Sequence, residues 1–184
     1  MISTDVIDQL LSLGVLMMDV GLLVFFGIFI GFVLTRKTGM FWNNPLVKLI
    51  GKNGRVLAFM VIFAGVAGSL FFSNIVLLPP CELCWYQRVF LYPQLFIVGY
   101  GILKNDRRVG EYSILLSVIG IIIAIYHYYL QMGGAPFTTC GLGEVSCSEI
   151  QFIRYGFITI PVMSLTAFAA IIVSMVLYKK TTRS

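Results

Sequence analysis

Five long apolar runs limit what this chain can become. They lie at about residues 13–34, 56–78, 85–103, 113–130 and 157–178. Each approaches or exceeds the roughly 20 residues that a helix needs to cross a hydrocarbon core. Little of the 184-residue chain is left for a soluble domain. Charged residues make up 11% of it, against about 25% in a typical soluble protein. The runs predict an all-α, polytopic membrane protein.

The first run resembles a signal peptide only in its apolarity. Its leader carries Asp5 and Asp8 and no Lys or Arg, the reverse of a signal n-region, and no small-residue cleavage site follows. It is therefore expected to stay as a helix. The basic residues set the orientation. Arg36, Lys37, Lys48, Lys52 and Arg55 lie between runs one and two, Lys104, Arg107 and Arg108 between three and four, and Lys179, Lys180 and Arg183 after five. Only Arg88 and Arg154 fall in the alternate connections. Positive charge marks the cytoplasmic side, so the N-terminus is expected outside and the C-terminus inside a cytoplasmic (inner) membrane. The net charge of +5 then reflects loops facing anionic lipid, with no need of nucleic acid.

That orientation puts all four cysteines outside the cytoplasm, where disulfides persist. Cys81 and Cys84 form a Cys-x-x-Cys before run three, and Cys140 and Cys147 lie before run five. Pro79-Pro80 is expected to end the second helix. Residues 36–55 read as a basic connector along the inner interface, and residues 131–156, rich in Gly, Ser and Thr, as a mobile loop. The spacing Gly27-x-x-x-Gly31 is a weak signal for close packing of the first helix.

Three readings of the cysteines compete. Proximity pairs Cys81 with Cys84 and Cys140 with Cys147 as structural disulfides, yet so tight a first ring adds little stability. Four thiolates also make a tetrahedral zinc site. A redox relay is the third reading, because a Cys-x-x-Cys favours thiol–disulfide exchange. Arg88 sharpens it. One helical turn from Cys84, its guanidinium favours a thiolate there, although a juxtamembrane Arg also serves as an interfacial anchor. His127, the one histidine, sits in a tyrosine-rich helix end, where it is either an interfacial hydrogen-bonder or a proton-exchanging neighbour of the thiols. Asp19 lies within run one, where a carboxylate is costly unless it reaches water or a partner. No nucleotide or haem motif is present, which leaves a membrane quinone as the acceptor by elimination.

The ordered segments PCELCWYQR, AIYHYYLQ, CGLGEVSC and YGFITIPVMSL resemble the DsbB family of membrane disulfide oxidoreductases, the short second cysteine loop looking most like the BdbC-type branch. The resemblance covers about residues 56–178. It implies a four-helix bundle over residues 56–184 that passes electrons from an extracytoplasmic thioredoxin-like oxidase of DsbA or BdbD type to ubiquinone or menaquinone. Carried over by position, it makes Cys81 and Cys84 the quinone-coupled pair, with Cys84 next to the ring. Cys140 and Cys147 become the pair that meets the soluble partner, and Arg88 and His127 lie at the quinone. Residues 1–55, with an additional transmembrane helix, fall outside that pattern. Vitamin K epoxide reductases share this logic but carry the loop cysteines first, and a non-cycling structural or metal-binding scaffold is the non-enzyme alternative.

Overall fold

The computed structural model describes residues 2–34, 38–136 and 146–183. Along them run α1 (Ile2–Leu34), α2 (Thr38–Asn43), α3 (Pro45–Lys52), α4 (Gly54–Asn74), α5 (Glu82–Leu103), α6 (Val109–Gln131), β1 (Ile153–Arg154), β2 (Ile158–Thr159) and α7 (Ile160–Arg183). Each of the five apolar runs forms one helix, so the all-α membrane architecture holds. Among the described residues, four helices are long and apolar enough to cross a bilayer: Gln9–Leu34 within α1, α4, α6, and Ile160–Thr182 within α7. The third run forms α5, of comparable length at 22 residues. It is less apolar because it carries Gln87, Arg88 and Gln94.

Helix α4 packs on α5 and α7, and α6 packs on the same two, so α4 to α7 close into a four-helix bundle. Ala58, Ile62 and Val66 recur every four residues along one face of α4 and meet Leu91 and Val98 of α5 and Phe168, Ile171 and Met175 of α7. Between lipid-embedded helices the hydrophobic effect gives no net attraction, so packing and hydrogen bonds hold them together. Both are present. A Cβ at Gly120 would overlap the Phe168 ring, so only glycine lets α6 lie this close to α7. Gln94, fully buried on α5, donates its amide to the Phe90 carbonyl at 2.9 Å and exchanges hydrogen bonds with Ser117 of α6 at 3.3 Å. The polarity of α5 thus faces inward.

Helix α4 stops at Asn74, ahead of Pro79-Pro80. The chain leaves helix as Leu77 takes a left-handed φ of 60°. The basic connector folds as α2 and α3. Asn44 caps α3, its Oδ1 accepting from the Leu46 N–H at 2.9 Å with Pro45 in the first turn, and α3 lies against α7. Arg55 fastens this end of the bundle. Its guanidinium donates to Asn105 Oδ1 at 2.7 Å and stacks over the Tyr178 ring at 4.7 Å.

At the other end, α6 closes on Gly133, whose positive φ of 87° permits the Gly134 N–H to bond the Tyr129 carbonyl and the Gly133 N–H to bond that of Leu130, each at 3.1 Å. Residues 137–145 of the expected mobile loop, Cys140 among them, lie outside the described residues. The return segment is pinned. Gln151 donates to the Pro79 carbonyl at 3.0 Å, and the Phe152 ring lies 5.0 Å from that of Phe72. A two-residue antiparallel ladder follows, pairing Ile153 with Thr159 and Arg154 with Ile158, and it turns at Tyr155 and Gly156, both with positive φ. Helix α1 lies against α7 and α2. A side chain at Gly27 or Gly31 would meet no atom within 4 Å, so that spacing makes no close helix contact among the described residues. Asp19 instead accepts a hydrogen bond from the Thr166 hydroxyl of α7.

Candidate redox site

The first turn of α5 builds the site. Cys81 is the N-cap, with extended backbone, and its Sγ accepts from the Cys84 N–H at 3.4 Å, taking the place of the Ser or Asp oxygen usual there. This wraps the two thiols together: both are free and buried, with Sγ atoms 2.9 Å apart.

On one side of the pair stands α6. His127 is 2% exposed, its Nε2 lies 3.6 Å from Cys81 Sγ, and its Nδ1 lies 3.1 Å from the Gln87 amide nitrogen. With that amide donating to Nδ1, the ring proton sits on Nε2 and points at Cys81. The Cys81 thiol is consequently lowered from 9.0 to about 4, first by the hydrogen bond from Cys84, against the opposing effect of burial, and then by His127. A stabilised thiolate favours the reduced pair, which makes the corresponding disulfide a ready oxidant.

On the other side Cys84 opens onto a cavity of about 480 Å³ between α1, α4, α5 and α7, within the size range of small-molecule sites. Its polar lining comprises Gln87 and Arg88 of α5, Ser69 and Ser73 of α4, Ser164 of α7 and Gln151. Leu91, Ala167 and Phe168 are among the apolar residues that line the rest. Arg88 donates to the Ser73 hydroxyl and, at 3.5 Å, to the Ser69 carbonyl, and its guanidinium stacks 5.1 Å over Trp85. The one-turn spacing thus brings Cys84 and Arg88 to the same cavity, as expected. His127 does not line it and stands behind Cys81 instead. The favourable hydrogen bonds likewise gather on Cys81, whereas the sequence had drawn attention to a thiolate at Cys84.

Cys147 is disulfide-bonded and 1% exposed, and it shares one buried cluster with Cys81, Cys84 and Leu130. A sulfur in a disulfide is no thiolate ligand, so a zinc site using all four cysteines does not fit this arrangement. Cys81, Cys84 and His127 do offer three donor atoms within 4.8 Å of one another, a Cys₂His set suited to a soft cation. Asp19 is not among the residues around the thiols or the cavity. Sequence reasoning passed over Gln87, Ser69 and Ser73. Gln87 was within reach, because it falls on the Cys84–Leu91–Gln94 stripe, and a polar residue on the inward face of such a helix marks a site. The two serines gave no such signal.

Residues 52–178 match the family model described as "Disulfide bond formation protein DsbB". The SPbeta prophage-derived disulfide bond formation protein B of Bacillus subtilis (strain 168) is 46% identical over 116 residues, 63% of this chain and 78% of that protein. The probable disulfide formation protein C 1 of Bacillus anthracis is 41% identical over 113 residues, 60% of this chain and 81% of its own. A probable disulfide formation protein of Coxiella burnetii (strain CbuK_Q154) is 37% identical over 122 residues, 65% and 83% of the two chains. No solved structure matches significantly. A family match across more than half of a multi-pass helical chain, with a buried Cys-x-x-Cys at its centre, leaves one conclusion: this chain belongs to the DsbB family of disulfide bond formation proteins.

Proposed function

We propose that the protein is a quinone-dependent disulfide oxidoreductase that reoxidises a thioredoxin-like partner outside the cytoplasm. The observation that carries the reading is the two-sidedness of the Cys-x-x-Cys. Cys84 lines the apolar cavity with Arg88, while Cys81 and the disulfide-bonded Cys147 share a buried cluster at the same end of the bundle.

The partner's thiolate attacks Cys140, and Cys147 leaves. This direction of attack is supported by the burial of Cys147, which shields its sulfur from a protein nucleophile. The second partner thiol resolves the mixed disulfide, so the partner is oxidised and Cys140 and Cys147 become thiols. Exchange with the Cys81–Cys84 disulfide restores Cys140–Cys147 and leaves Cys81 and Cys84 reduced, two electrons and two protons having moved inward. Cys81 takes up the negative charge under the hydrogen bonds of Cys84 and His127, with Gln87 holding the ring. Cys84 faces the cavity, where Arg88 fixes a positive charge. A quinone bound there supplies an acceptor for two electrons and two protons. The apolar walls and the polar groups among the lining, Gln87, Arg88, Ser69, Ser73, Ser164 and Gln151, suit a ring with polar carbonyls and a greasy tail. Residues 56–184 form the catalytic bundle in this reading. The bias of basic residues supports an inner-membrane protein with its cysteine loops outside.

The test is quinone reduction in detergent, driven by a reduced thioredoxin-like protein. Wild type is expected to turn over and Cys84→Ser to fail, while Cys147→Ser accumulates a reducible mixed disulfide through Cys140. Stoichiometric zinc in the purified protein together with absent turnover would favour the metal-binding scaffold instead.

A further inference from the structure

The family match begins at residue 52 and leaves α1 outside it, yet α1 reaches the cavity. Leu10, Leu11, Gly14, Val15 and Met18 line it from one stripe of α1, at the three-to-four-residue spacing of a helix face. Contacts hold this stripe in place. The position of a Cβ on Gly68 of α4 lies 3.7 Å from Leu11 Cδ2, and just past Met18 the Asp19 carboxylate is bonded by Thr166 of α7. That bond gives a membrane-embedded carboxylate a partner that only the docked position of α1 supplies. Gly14 faces free space, with no atom within 4 Å of its Cβ position.

We propose that α1 is a wall of the acceptor site and that its Gly14 face sets the room available to an apolar, ring-headed ligand. Asp19 is the positioning residue that keeps the wall docked. The proposal rests on reading the cavity as the quinone site. Its chemistry follows from the lining: on the α1 side the ligand meets only aliphatic and thioether groups, so this wall discriminates by shape, while recognition of carbonyls falls to the polar groups of α4, α5 and α7 and to Gln151.

Two measurements on the full-length protein test it. Photolysis with an azido-benzoquinone, followed by peptide mapping, is expected to label residues 10–18 as well as α5. In kinetics with a short-chain benzoquinone, Gly14→Phe is expected to raise KM by about tenfold or more, equivalent to about 1.4 kcal/mol of lost binding. Trapping of the partner through Cys140 in a Cys147→Ser background is expected to be unaffected. Gly21→Phe, also with open space at its Cβ but away from the cavity, is the matched control and is expected to leave KM unchanged. Labelling confined to α4, α5 and α7, or a wild-type KM in Gly14→Phe, overturns the role of α1 while leaving the quinone reading intact. If wild type neither reduces the quinone nor is labelled, the acceptor reading itself falls, and the role of α1 with it.

Discussion

Two arginines lie at opposite ends of the bundle, each stacked on an aromatic ring, and their surroundings differ in one respect. Arg55 is bound to three fixed acceptors and a ring. It donates to Asn105 Oδ1 at 2.7 Å, to the Asp106 carbonyl at 3.3 Å and to the Gly101 carbonyl at 3.4 Å, with Tyr178 beneath it. Its charge serves to close the α5–α6 turn onto α4 and α7. Arg88 is held by Ser69 and Ser73 and stacked on Trp85, yet it borders a cavity shared with a free thiol. A guanidinium spread over several fixed protein acceptors is a clamp. One held in place beside open space is preorganised for something that arrives later.

Breaking the comparison at Arg88 is expected to have the largest effect. Arg88→Ala should lower kcat/KM for quinone on the order of a hundredfold, the scale of losing one preorganised charge at a reacting centre. Arg88→Lys should recover only part of it, since an ammonium keeps the charge but lacks the planar guanidinium that stacks on Trp85. A variant with normal quinone kinetics but a large loss of folded protein would make Arg88 a second clamp. Arg55→Ala should do the opposite. Losing its charged hydrogen bonds should cost about 2 kcal/mol of stability, read by thermal unfolding in detergent, with unchanged turnover per folded molecule. An activity loss exceeding the loss of folded protein would erase the distinction between the two ends.

The smallest effect sharpens the picture at the cysteine end. Because the Cys81 thiol is lowered to about 4, the stabilisation it lends the reduced fold is fully present above 9.0, the value of an unperturbed thiol. It is lost as pH falls through about 4. In reduced wild type, Cys81 should therefore alkylate as a thiolate through the mildly acidic range. His127→Ala removes a favourable hydrogen bond, and should move the midpoint of Cys81 alkylation, followed by mass spectrometry, toward alkaline pH by about one unit. An unmoved midpoint would mean that Cys84 alone tunes Cys81.

Much of the site could be read from residues close together in the chain. The spacing of Cys84 and Arg88 places them one turn apart on one helix face whatever the bundle does around them, and both line the cavity. His127 was legible as a polar residue at the right end of its helix, but the side of the thiol pair it faces was not. That depends on how α6 is rotated against α5, which Gly120 on Phe168 and Gln94 on Ser117 decide through contacts far apart in sequence. The α4 serines at the cavity carried no signal of their own. Serines are common in membrane helices, and only their position opposite Arg88 gives them a role.

By itself the sequence determined that the chain is a helical membrane protein, because apolar runs of bilayer length leave the backbone little else to form. It also determined that a Cys-x-x-Cys opens α5 with an arginine one turn later, because helical periodicity is local. Only the tertiary structure decided that the two thiols look in different directions, Cys81 toward His127 and Cys84 into a cavity, and that α1 comes to wall that cavity. The physical reason is that lipid solvates any apolar face equally well. The apolar pattern that builds each helix does not say which neighbour it will meet, and that choice falls to small-residue contacts and buried hydrogen bonds that exist only once the bundle has closed.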